Sequence, residues 1–245
     1  ESGWPVMGEN GTVPDTIEID ALPGKRTRKS QYYVPGSNVT DTFTSKTLHP
    51  SWNTIYNPVS KLVVPTEHGL FLRSFGTALS EDKAKAIVVR RQEHFHFTAT
   101  ATLTLESVNA GSEAGITIYM NNRHHYEAAL ATVNGQYFII LRRRIGSLQS
   151  IETQIPYHCN TVKLILTGDR ENYTFSYLDI RPDENPMPAT AAFPSAVNAP
   201  VVIGSGEAQY LTTEVGGCFT GNYIGLYASK GDGLFTEFTY QGGRN

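Results

Sequence analysis

Two carboxylates held across a sugar are enough to hydrolyse a glycosidic bond. The chain offers Glu93, Glu106, Glu113, Glu127, Asp179, Glu207, Glu214 and Glu237. None sits in a motif that fixes a partner, and most fall on the polar side of alternating segments. They read as surface carboxylates, the usual fate of such residues, and no catalytic residue is assigned. His94 and His96 share one strand face, a spacing that metals use. A third ligand would have to come from His124 or His125. Without a complete set the pair reads as polar-face histidines, and neither a metal site nor a cofactor is assigned. Cys159 follows His158, but adjacent strand residues point to opposite faces, which argues against a thiolate–imidazole pair. No Gly-x-Ser-x-Gly elbow and no phosphate-binding loop occur.

The most distinctive segment is Gly216-Gly217-Cys218-Phe219-Thr220-Gly221, followed by Asn222-Tyr223-Ile224-Gly225-Leu226-Tyr227-Ala228. Glycines on both sides allow the backbone to turn sharply and present one large aromatic. The alternative is a core phenylalanine in a tight loop. Sugar-binding surfaces favour exposed aromatic platforms, and only Trp4 and Trp52 are tryptophans; Trp52 reads as core. Thirteen tyrosines leave sugar binding open but unlocated.

These residues must be positioned by strands. From His94 to Leu105 one face reads Phe95, Phe97, Ala99, Ala101, Leu103, Leu105, and the other His94, His96, Thr98, Thr100, Thr102, Thr104. That period of two predicts a half-buried strand. Similar runs cover Gly115 to Met120, Tyr137 to Leu141, Val162 to Leu166, Tyr173 to Tyr177, Asn222 to Ala228 and Phe235 to Tyr240. Asn121-Asn122, Asn134-Gly135, Gly168-Asp169 and Gly231-Asp232-Gly233 supply the turns. Many short strands separated by glycine-rich turns predict an all-β antiparallel sandwich. The only helix-like stretch is Glu81 to Ala86. Residues 1–40 lack sustained alternation and read as an irregular linker with a strand at Thr16 to Ile19. Arg181 to Pro200 carries Pro182, Pro186, Pro188 and Pro194 and reads as a long loop of the kind that contacts neighbours or carries function.

Bulk properties narrow the partners. The chain has 245 residues, a formal charge of -3 and a pI of 6.2, so no basic stripe calls for nucleic acid. Arg142-Arg143-Arg144 reads as a solvated strand edge and turn. No apolar run approaches the ~18 residues of a membrane helix. Glu1 opens in polar sequence, which suggests a processed or excised chain. The sequons Asn10-Gly11-Thr12, Asn38-Val39-Thr40 and Asn172-Tyr173-Thr174 favour a secreted, extracellular eukaryotic protein, fungal-like, glycosylated at Asn10, Asn38 and Asn172. Cys159 and Cys218 are compatible with one disulfide or with two separate thiols.

Five motifs then occur in order. They are Gly69-Leu70-Phe71-Leu72-Arg73, Val89-Arg90-Arg91-Gln92, Ala114-Gly115-Ile116-Thr117-Ile118-Tyr119, Gly216-Gly217-Cys218-Phe219-Thr220-Gly221 and Phe235-Thr236-Glu237-Phe238-Thr239-Tyr240. Together they resemble the C-terminal concanavalin A-like β-sandwich (jelly roll) of glycoside hydrolase family 43, over roughly Asp41 to Tyr240. Gly3-Trp4-Pro5-Val6 looks like the last strand of that family's five-bladed catalytic propeller. The resemblance thus implies 1–40 as the propeller's end plus linker, and 41–245 as an accessory sandwich. It implies β-xylosidase or α-L-arabinofuranosidase activity on xylan-derived oligosaccharides, with inversion, and catalytic acids that lie in the propeller rather than here. The position it carries over is Phe219, an aromatic that helps close the substrate cleft. A Cys159–Cys218 bridge is expected to hold that loop. Two departures bear on the substrate: Cys218 stands where another aromatic can occur, and Tyr177-Leu178-Asp179-Ile180-Arg181 lacks the family's Ser-x-Asp-Gly turn. A free-standing lectin-like module is the alternative reading.

Overall fold

The structure, a computed structural model, describes residues 38–56, 63–106, 109–180 and 199–243, together with Gly8. Trp4, Asn10, Thr16 to Ile19 and most of Arg181 to Pro200 lie outside the described residues. All of the strands belong to the unit Pro35–Asn245.

Fifteen strands are formed by the described residues. In chain order they are β1 (Asn38–Asp41), β2 (Asn53–Thr54), β3 (Val63–Thr66), β4 (Gly69–Leu72), β5 (Ala86–Arg91), β6 (Phe97–Leu105), β7 (Glu113–Asn121) and β8 (His124–Val133). Then come β9 (Gln136–Ile145), β10 (Leu148–Tyr157), β11 (Thr161–Gly168), β12 (Asn172–Leu178), β13 (Val201–Glu207), β14 (Tyr223–Ser229) and β15 (Gly233–Gly242). One sheet runs β13-β12-β11-β6-β15-β4-β3, with β1 as an eighth strand on β15. The other runs β10-β9-β8-β7-β14-β5-β2. Every pairing is antiparallel. The expected β-sandwich is therefore observed.

The alternation expected for β6 holds from Phe97 onward. Phe97, Ala99, Ala101, Leu103 and Leu105 are buried, and the threonines between them are half-buried. The strand begins later than expected, however. Phe95 is outside it, with Arg170 stacked over its ring. The inward residues of β6, β11, β12 and β15 meet those of β5, β7, β8, β9 and β14 in one continuous core. Trp52 belongs to that core, edge-on to Phe238 at 4.9 Å. In β15 both Phe235 and Phe238 point inward. A bulge between Phe235 and Glu237 shifts the phase and makes this odd–even pair compatible with a period of two.

Eight of the fifteen strands fall outside the alternating runs read from the sequence, and β8 and β10 show why. β8 is buried along almost its whole length, so it shows no alternation to detect. β10 is a polar edge strand. Asn134-Gly135 joins β8 to β9 with positive φ at both residues, 51° and 77°, as a two-residue hairpin requires.

Two expectations are corrected. Glu81 to Ala86 is not helical: Lys85 turns inward, its ammonium donating to the Leu79 carbonyl at 2.9 Å and the Glu81 carbonyl at 2.6 Å, and the chain runs into β5. The helical turns lie instead at Ala208–Leu211 and Thr213–Gly216. Arg142-Arg143-Arg144 is not an edge or turn. It lies within β9, between β8 and β10; carboxylates pair with Arg142 and Arg143, and Arg144 donates to the Gln149 amide oxygen at 3.4 Å.

Candidate functional site

The helical turn Thr213–Gly216 delivers the chain to the glycine-rich loop. Gly217 ends the turn in the left-handed region, φ 67°, and its N–H donates to the Thr213 carbonyl. Gly221 takes the same region at φ 70°. A side chain at either position would be strained there, so two glycines bracket and aim the three residues between them. Phe219 is 94% exposed. It is therefore not a core residue.

The expected disulfide is not formed. Both cysteines are free and make separate local contacts. The Cys159 thiol reaches the Thr161 carbonyl at 3.1 Å, beside the β10–β11 connection. Cys218 lies 3.0 Å from the Thr220 hydroxyl, which lowers its thiol pKa. The loop is held without a crosslink. Asn121 Nδ2 donates to the Gly216 carbonyl at 3.2 Å, and Met120 packs where a Gly216 side chain would stand.

Asn121 and Met120 also line an open depression of about 330 Å³ where β2, β5, β14 and β7 end. Its amides are Asn53, Asn121 and Asn122, and its rings are Tyr56, Tyr119 and Tyr223. Strand register sets this grouping, since Tyr223 lies opposite Tyr119 on one side and Arg91 on the other. Arg91 stacks on the Tyr223 ring at 4.2 Å. Sequence reasoning misses these residues. Asn121-Asn122 registers only as turn chemistry, and Tyr56 sits in no periodic segment.

Beyond the depression, the outer face of the seven-stranded sheet is buried and charged. Arg142 Nη1 donates to Glu113 at 3.0 Å and to Glu127 at 2.7 Å, while Nη2 donates to Glu113 at 2.8 Å. Glu113 and Glu127 are thus not surface carboxylates; they are 8% and 2% exposed. Burial raises the Glu113 pKa against the lowering effect of Arg142. Burial also pushes Lys85 down to about 8 and His125 down to about 3. A guanidinium already clamped by two carboxylates leaves neither of them free for acid–base work, so this cluster is structural. Glu93 is also drawn in, 3.3 Å from the fully buried Arg90. Glu106, Glu207 and Glu214 are exposed as expected, and Asp179 and Glu237 are half-buried. His94 hydrogen-bonds Tyr240 across the eight-stranded sheet's end, whereas His124 and His125 belong to β8 of the other sheet. Among the described residues no three potential ligands gather around a metal position.

A sandwich of this topology with an aromatic-tipped glycine loop now meets its relatives. Residues 40–241 match the β-xylosidase C-terminal concanavalin A-like domain. The chain belongs to this family. Among curated proteins the domain is 27% identical over 231 residues to the non-reducing end α-L-arabinofuranosidase BoGH43B of Bacteroides ovatus, covering 93% of the chain and 39% of that enzyme. Among solved structures, a Bacteroides ovatus xyloglucan-locus GH43B superposes with TM-score 0.71 at 24% identity, covering 98% of the chain and 44% of the other. A xylan β-1,4-xylosidase of Bacillus halodurans gives 0.68 at 19%, covering 94% and 41%. The two structural likenesses establish the fold. This concanavalin A-like domain spans less than half the length of each of these relatives, and in such family 43 enzymes it accompanies a catalytic domain.

Proposed function

We propose that this domain is the accessory β-sandwich of a secreted family 43 glycoside hydrolase. It packs on an N-terminal five-bladed propeller that carries the catalytic acids, and it places Phe219 at the rim of the substrate cleft. The substrate is xylan or arabinoxylan, from which the enzyme releases D-xylose or L-arabinofuranose. The single observation that carries this reading is Phe219, almost wholly exposed on a loop whose glycines and Asn121 anchor hold it in place. Covering a phenylalanine of that exposure contributes roughly 1.5–3 kcal/mol. A ring closing a short sugar subsite also keeps bulk water out of the pocket, apart from the one water that hydrolysis consumes. Hydrolysis itself would be a single displacement, in which one propeller acid protonates the leaving oxygen and one base activates water. Secretion fits a polymeric substrate and the exposed sequon residue Asn38 at the start of β1.

The test is Phe219→Ala in the polypeptide that joins this domain to its catalytic domain. kcat/KM on short xylo-oligosaccharides should fall roughly tenfold or more, the equivalent of about 1.4 kcal/mol. Stability of the 245-residue chain should move by less than about 0.5 kcal/mol, as for other exposed positions. Wild-type turnover on both short and long substrates would overturn the assignment.

A further inference from the structure

The depression beside the Phe219 loop has the chemistry of a ligand site. No residue lining it carries a formal charge, so it suits neither a phosphate nor a metal ion. Its amides both donate and accept hydrogen bonds, as sugar hydroxyls do. Its rings offer apolar faces to the C–H faces of a pyranose. At about 330 Å³ and open to solvent, it lies at the small end of the roughly 300–1,000 Å³ usual for ligand sites. That suits one sugar unit of a longer chain.

Tyr56 is the most telling member. It is 61% exposed, yet it is fixed: its hydroxyl donates to Asp82 at 2.6 Å, and the Lys85 ammonium sits 5.5 Å from the ring centroid. Its backbone is left-handed, φ 67°. A bulky side chain enters that region at a cost of about 1–3 kcal/mol, a strain that concentrates at functional positions. Asn121 is occupied by the loop and by the Arg123 N–H. Asn122 and the Oδ1 of Asn53, whose Nδ2 donates to the Ser51 carbonyl at 3.4 Å, are the amide groups left to meet a ligand.

We propose that this depression is a neutral-sugar subsite. A pyranose of a xylo-oligosaccharide stacks on Tyr56 and hydrogen-bonds through Asn53 and Asn122, next to the Phe219 rim. The choice of xylose units rests on the proposed hydrolase function; the neutral-polyol chemistry rests on the lining alone.

The experiment is a calorimetric titration of the 245-residue chain with xylohexaose. Saturable binding is expected, weakened roughly fivefold to tenfold by Tyr56→Ala and by Asn122→Ala, the usual loss on removing a stacking ring or one hydrogen bond. Phe95→Ala removes an exposed ring elsewhere and should leave binding unchanged. Absence of saturable binding would overturn the proposal. So would binding that both groove variants leave intact. The two readings fail separately: the subsite through unchanged affinity in the groove variants, the cleft role through unchanged turnover in Phe219→Ala.

Discussion

The outer face of the eight-stranded sheet is largely a field of threonines. Thr100 pairs with Thr239 at 2.8 Å, Thr104 pairs with Thr161 at 2.9 Å, and Lys163 meets Glu237 at 2.9 Å, all half-buried. The outer face of the seven-stranded sheet buries Glu113, Thr117, Tyr119, His125, Glu127 and Tyr227 instead. It ends in the amide-lined depression and the Phe219 loop. One face is an ordinary solvated surface whose polar groups satisfy one another. The other is a second, polar interior, and the candidate chemistry collects at its rim. Water screens charges on the first face and reaches those on the second far less, so equivalent substitutions should differ in cost.

The largest difference should come from ion pairs. Arg142→Ala leaves two buried carboxylates facing each other without the guanidinium that bridges them. A buried pair broken in this way costs about 3–5 kcal/mol. Lys163→Ala breaks a half-exposed pair on the other sheet and should cost less than about 1 kcal/mol. Urea unfolding of the two variants measures both. Equal losses would mean that the seven-stranded sheet's outer face is not an interior at all.

Protons probe the same contrast. His125 is fully buried, its Nδ1 3.0 Å from the Asn121 carbonyl oxygen, and burial holds its pKa down to about 3. The unfolded imidazole takes up its proton near its ordinary value of about 6.5. Between those values the unfolded chain binds more protons, so stability falls as pH falls, with a slope approaching about 1.4 kcal/mol per pH unit. Glu113, raised by burial, acts in the opposite direction near its own titration. The readout is therefore wild type minus His125→Gln, and that difference should shrink as pH drops from about 6.5 towards about 4. A constant difference would show that the imidazole charges without penalty.

How much of the fold and site is legible in the letters depends on which sheet a residue occupies. β6 and β11 each have one wet face, so apolar and polar residues alternate and the core positions are visible. In β8, Glu127 and Ala129 face outward, yet both are as buried as Ala128 and Leu130 on the other side. Alternation vanishes, and a buried acid looks like a surface one. The glycine loop is legible because its conformation demands glycine at Gly217 and Gly221. The depression is not, because register across β5, β14 and β7 assembles it. The cysteine pairing fails for a related reason: spacing in the chain says nothing about the separate local partners that Cys159 and Cys218 find.

The finest comparison uses one substitution on both sheets. Thr100→Val removes a half-buried hydroxyl whose partner, Thr239, can turn to water. Valine also suits a strand, so the net change should stay within about 0.5 kcal/mol. Thr117→Val has the same shape change, but the Thr117 hydroxyl is fully buried and donates to the Tyr126 carbonyl at 2.7 Å. Its loss should cost about 1–2 kcal/mol, because nothing replaces the donor there. Chemical denaturation of the pair resolves a gap of that size. If Thr100→Val proves the costlier of the two, the threonine field contributes stability that its exposure conceals, and the contrast between the faces would have to be redrawn around it.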